Sequence, residues 1–171
     1  MDDFSKSIAA TTSSALSGEA QATAAKIQKA VTAGVVGDGA LQARLSGLSA
    51  RLQVFRLHAD QLSRCIADAP VVHPNLGDVL KSSLAESAHA LRTVTGRLEP
   101  GSDSLDSHAV SAFEALLAAY TRLFVLGTQL LTIETEQEQQ AKLASPVARE
   151  IVAAAHNASQ GVLSFSYAME N

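Results

Sequence analysis

Glu86-Ser-Ala-His89 is the one pairing in this 171-residue chain whose spacing matches a metal-binding pattern. Bundles that hold two metal ions draw on two Glu-x-x-His pairs, plus a Glu from each of two other helices. Here a second Glu-x-x-His is missing, and Glu114 is the sole interior-looking carboxylate on another helix. Glu86 and His89 therefore read as neighbours on a polar helix face, and no metal or cofactor is expected. His58 and Asp60 are two apart, which turns them to different sides of a helix. Asp106 and His108 adjoin a loop, where an acid beside a serine is ordinary capping chemistry. No His-x3-His or Cys-x2-Cys spacing occurs. Cys65 has Arg64 beside it, and a cation lowers a thiol pKa, but no nucleophile signature surrounds it. "GVVGDG" (34–39) is not followed by the Lys-Ser/Thr that completes a phosphate loop. These residues predict a protein that is not an enzyme.

Charge narrows the partners. The net charge is -4, and Lys and Arg are not clustered. Neutralising a phosphate backbone needs such clusters, so nucleic acid is not an expected partner. The length suits one domain over residues 1–171. Aromatics are 4% of the chain and Trp is absent, so the core must be built from Leu, Val and Ala. The lone Cys65 has no partner for an internal disulfide. The opening "MDDFSKS" places acids where a secretory signal carries bases, and no apolar run of roughly 7–15 residues comes after it. A cytoplasmic protein is expected.

Helical periodicity runs almost throughout, with no strand alternation. Over residues 41–66, Leu41, Leu45, Leu48, Leu52, Phe55, Ala59, Leu62 and Ile66 recur at alternating steps of four and three, a heptad seam facing other helices. A first helix over 3–33 is rich in Ala, Ser and Thr, with Phe4, Ile8, Leu16, Ile27 and Val31 as its larger apolar residues. Gly18 marks a break or bend in it. This helix and the Gly-rich connection, residues 1–38 together, are predicted to pack weakly. "DAPVVHPN" (68–75) leads to a third helix over 76–98, with Leu80, Leu84, Leu91, Val94 and Leu98 on one side. "EPGSDSLDS" (99–107) is a loop, with Ser104 or Asp106 as the N-cap of the fourth helix.

Residues 113–146, "FEALLAAYTRLFVLGTQLLTIETEQEQQAKLASP", join an apolar half to a polar one. From Ala112 to Ile133 only Glu114 and Arg122 are charged, so length alone allows a membrane span. Each of those charges costs about 2.5–3.5 kcal/mol in lipid, and a central helix surrounded by its neighbours explains the pattern better. Beyond Ile133 this fourth helix is expected to continue into water. Glu134, Glu136, Glu138, Gln139 and Lys142 then form its solvated end and a candidate partner surface. Ser145-Pro146 restarts the chain as N-cap and first helical residue. The closing helix carries Val147, Ile151, Ala155, Val162 and Phe165 inward, with Gly161 ending its regular part. The fold class is all-α, an antiparallel bundle of four to five helices around a long central fourth helix.

Three stretches carry a family resemblance. "LQARLSGLSARLQVFRLHADQLSRCI", "LGDVLKSSLAESAHALRTVTGRLE" and "LLTIETEQEQQAKLASPVAREIV" cover about residues 41–155. Together the chain resembles the N-terminal helical domains of fungal NLR-like (STAND) receptors, the broad HeLo-like group. That resemblance implies a helical bundle without catalytic residues, acting in signalling through a protein partner or self-association. Some members begin with an apolar segment linked to membrane insertion. "DFSKSIAATTSSALSGEA" is far more polar. The alternative is a membrane- or lipid-active bundle that releases its first helix onto a membrane surface.

Overall fold

The computed structural model describes residues 3–32, 39–97 and 107–170. They form α1 (Asp3–Thr32), α2 (Gly39–Asp68), α3 (Pro74–Arg97), α4 (Ser107–Leu131), α5 (Glu136–Leu143) and α6 (Pro146–Glu170), with no strand among them. The protein is all-α. Ser104, Asp106 and Leu98 lie outside the described residues, as do the side chains of Phe4, Leu41 and Phe165. Neither Gly18 nor Gly161 interrupts its helix, because a single helical glycine costs only about 1 kcal/mol relative to alanine.

The helix count departs from the expected four to five because the fourth helix does not run on into the polar segment. It ends at Leu131, the chain turns through 132–135, and α5 begins separately. The cause is local. Thr132, Ile133 and Thr135 are β-branched and disfavour helix. Thr135 is extended (φ -120, ψ 142) and its hydroxyl accepts a hydrogen bond from the Glu138 amide at 3.2 Å. Thr135-Glu-Gln-Glu138 is a capping-box sequence that starts a new helix here. The restart at Ser145-Pro146 is as expected, with the Ala148 amide donating to Ser145 Oγ at 3.3 Å.

Around the bundle α1, α2, α4, α6 and α3 are neighbours in that order, α3 also meets α4, and α5 closes one end against α3, α4 and α6. Contact pairs give the directions. Lys6 Nζ donates to the Ala69 carbonyl at 2.9 Å, Ser63 Oγ to Ala10 at 2.8 Å and Ser13 Oγ to Ala59 at 2.6 Å. Numbers on α1 rise as those on α2 fall, so the two are antiparallel. Arg44–Ser111 and Phe55–Phe124 set α2 and α4 running the same way. Small side chains explain the closeness of α1 to α2: Ala9, Ala20 and Ala24 are buried there with Ser13 and Ser17, and interaxial distance depends on side-chain size at the contact.

The seam of α2 is buried throughout its described length, from Leu45 to Ile66. α4 supplies Phe113, Tyr120 and Phe124, three of the largest fully buried side chains. Its apolar window, Val110–Leu131, is long and apolar enough to cross a membrane by length and composition. In the bundle its inner side is core, while Ser111, Ala115, Ala118, Arg122 and Gln129 lie toward its outer side. At Gly127 a methyl group would stand 2.9 Å from Leu80 Cδ2 and 3.3 Å from Leu62 Cδ1, so α4 is tightly flanked there. Val147 departs from expectation: it is 64% exposed rather than inward.

Leu52 and Leu116 are both fully buried. Leu52→Asp or Leu116→Asp strands a carboxylate in the core at a cost of several kcal/mol. Thermal melting monitored by circular dichroism is expected to lose its cooperative transition in either variant. A soluble variant that melts like the parent would show that the faces are assigned wrongly.

Candidate functional site

The polar chemistry in the bundle gathers where α3, α4 and α6 meet. Tyr120 lies in the most apolar helix, and its hydroxyl needs a partner there. It donates to Glu86 Oε2 on α3 at 2.7 Å. The other carboxylate oxygen, Oε1, stands 3.3 Å from His156 Nδ1 on α6. Ser159, one turn beyond His156, is fully buried beside the phenol, but its Oγ completes no hydrogen bond. Burial first, then the hydrogen bond to Glu86 and its negative charge, raise the Tyr120 pKa well above the usual phenol range.

Glu86 and His156 also line a groove of about 250 Å³ between α3 and α6, with Asp78, Ser82 and Val152. A carboxylate on Nδ1 orients an imidazole as it would in a general base. Among the described residues no hydroxyl or thiol hydrogen-bonds to His156. The Ser83 hydroxyl donates instead to the Val79 carbonyl at 2.7 Å. Cys65 is a free, half-buried thiol on α2, whose backbone makes no close approach to that of α3 or α6. The Glu86–His156 pair is 32% and 56% exposed, which limits it to about 0–1 kcal/mol. The arrangement serves as a tie between three helices. Glu86 and His89 are one turn apart on α3; His89 is exposed, and the imidazole that meets the Glu86 carboxylate is that of His156 on α6. Among the described residues no three His, Cys, Asp or Glu side chains converge in a metal-binding group. A second groove, of about 310 Å³ between α1 and α3, is bordered by the Glu19–Arg92 ion pair at 3.1 Å.

The polar segment divides. Glu134, Glu136, Glu138 and Lys142 are exposed on and before α5. Gln139 is not part of that surface, because it is fully buried. Its Nε2 donates to the carbonyls of Val71 at 2.8 Å, Leu130 at 3.2 Å and Ile133 at 3.3 Å. Its Oε1 accepts from the His73 amide at 2.8 Å. One side chain thus serves both the 69–73 connection and the end of α4. The spacing of Gln139 and Leu143, both inward on a one-face helix, is the only sequence signal for it. Tyr120 has a clearer signal, as a phenol between Leu117 and Leu123 on the inward, apolar side of α4.

No family model, no curated protein and no solved structure matches this chain.

Gln139→Ala removes the side-chain partner of the His73 amide and of the part-buried Val71 and Ile133 carbonyls, while the Leu130 carbonyl keeps the Ile133 amide at 3.1 Å; each group left unsatisfied costs about 1–3 kcal/mol. Urea denaturation is expected to show a loss of at least about 2 kcal/mol, and an unchanged midpoint would refute the role given to this amide. Tyr120 gives a pH test. Its folded pKa is raised, so its contribution is complete below the unfolded value near 10 and is lost as pH rises beyond it, by up to about 1.4 kcal/mol per pH unit. Alkaline melting of the parent should fall more steeply above about pH 10 than that of Tyr120→Phe. Parallel limbs would show that the burial of the phenol does not couple its proton to folding.

Proposed function

We propose that this chain is a non-enzymatic helical-bundle interaction domain, working in signalling through protein–protein contacts in the cytoplasm. The observation that carries this reading is a second seam on α2. Ala43, Gly47, Ala50, Val54 and Leu57 recur at steps of four and three, and all are exposed. They lie on the side opposite the buried seam. Val54 is 48% and Leu57 60% exposed, forgoing part of the about 1.5–3 kcal/mol that full burial of such a side chain provides. Small residues at one end and larger ones at the other suit a docked helix. Tyr120, Glu86 and Gln139, by contrast, commit their polar atoms to ties between elements. The exposed acids Glu134, Glu136 and Glu138, with Lys142, offer a charged surface at the α5 end. The resemblance to fungal NLR-like helical domains agrees with this reading.

The second reading is a membrane-active bundle that releases α1. It is favoured by Ile8, 47% exposed on that helix. Three hydrogen bonds between α1 and α2 with its following residue oppose release.

Combining Val54→Asp with Leu57→Asp tests the two together. Both sites are on the surface, so stability should change by no more than about 0.5 kcal/mol per site, while a saturable protein partner captured by the parent should be lost. A turnover abolished by His156→Ala would overturn the non-enzymatic reading. Liposome sedimentation that survives the double variant and disappears on Ile8→Asp would favour the membrane reading.

A further inference from the structure

The exposed seam of α2 has a counterpart elsewhere on the chain. Where α5 meets α6, Val147 is, among the described residues, the most exposed of the large apolar side chains, at 64%. Glu136, Glu138 and Glu150 near it in the chain are exposed too. In the chain on either side of Val147 the exposed acids Glu134, Glu136, Glu138 and Glu150 outnumber the exposed bases Lys142 and Arg149. The α2 seam has the reverse margin, with exposed Arg51 and the basic Arg64 on either side of Val54 and Leu57 and only Asp60 as an acid between them. Each surface has an apolar centre, and the margins are opposite in sign. α2 touches neither α5 nor α6, so the two surfaces do not meet within one molecule.

We propose that they meet between molecules: the Val54/Leu57 seam of one copy receives the Val147 corner of the next. This names the partner in the interaction-domain reading and rests on that reading. Two different surfaces make the contact heterologous, so assembly proceeds to a ring or an open filament instead of stopping at a two-fold dimer. A two-fold pairing of α2 seams would bring the Arg51 and Arg64 margins of both copies against each other, and like charges across an interface are penalised. Opposite margins speed encounter and make the association weaken with salt.

Sedimentation velocity on the full chain over rising concentration tests this, with Leu57→Asp and Val147→Asp as variants. Both substitutions are at exposed positions, and unchanged circular dichroism melts would confirm that they fold. The parent is expected to grow beyond a dimer and to weaken roughly tenfold between about 0.05 and about 0.5 M salt. Each variant alone should associate at least roughly tenfold more weakly. Mixed together, the two variants should form a one-to-one dimer that grows no further, because each keeps the surface the other has lost. A parent that stays monomeric at every concentration overturns the proposal. So does a Val147→Asp variant that still associates, since the α2 seam would then be pairing with itself. A monomeric parent whose captured partner is still lost with the Val54/Leu57 variant removes self-docking alone. Loss of neither association nor partner removes the interaction-domain reading as well.

Discussion

The buried amide of Gln139 is the interaction on which the bundle's closed end depends. Chain reversals leave backbone carbonyls and amides without helical partners, and such groups must be satisfied wherever water is excluded. Two reversals, 69–73 and 132–135, come together beneath α5, and one side chain bonds to both. Three acceptors share two Nε2 hydrogens, so one of those bonds is divided. The arrangement sets the position of α5, which in turn places Ser145-Pro146 and the start of α6. The exposed Glu side chains of α5 face water because the opposite face is held by Gln139 and Leu143. Their exposure is a consequence of that inward amide.

Polar side chains do comparable work at the other seams. Ser13 and Ser63 donate hydrogen bonds to carbonyls across α1 and α2, and the Thr23 and Thr95 hydroxyls meet at 2.7 Å between α1 and α3. The Ala, Ser and Thr content of α1 suggests weak docking when only apolar area is counted. Small side chains also shorten the distance between backbones, and hydroxyls at that distance find carbonyls. Each such bond contributes about 0.5–1.5 kcal/mol net, so α1 trades bulky apolar contact for many close and directional ones.

Legibility in the sequence depends on the physics of each element. The α2 seam is plain, because Leu45 through Ile66 combine a strict period with large side chains, and burial can be deduced from that pattern alone. The end of α4 is hidden by charge. Residues 134–142 look like one solvated helix surface, and the Thr135–Glu138 capping box that divides them is a local backbone feature without hydrophobic signature. Gln139 is masked for the same reason, since a polar residue among acids carries no mark of its tertiary partners. Glu86 can be recognised as a carboxylate of interest. Its imidazole, His156, is seventy positions away, and only the packing of α6 against α3 brings them together. Periodicity reports which face is buried; it does not report which polar groups meet inside.

That distinction bears on function. A catalytic site needs polar groups held ready but uncommitted, with pKa values and geometry directed at a substrate. Here the Glu86 carboxylate already serves Tyr120 and His156, and the Ser83 and Ser87 hydroxyls bond to carbonyls of their own helix. Gln139 is fully engaged as well. Among the described residues the buried side-chain atoms without a hydrogen-bond partner are few, Glu19 Oε2, Arg56 Nε and Ser159 Oγ, while Val54, Leu57 and Val147 are apolar and in water. An interior tied by hydrogen bonds makes the bundle rigid, and a rigid bundle presents its exposed seams with little entropy to lose on docking. The proposed docking on the outer face of α2 draws on that exposed apolar area, since covering Val54 and Leu57 removes it from water.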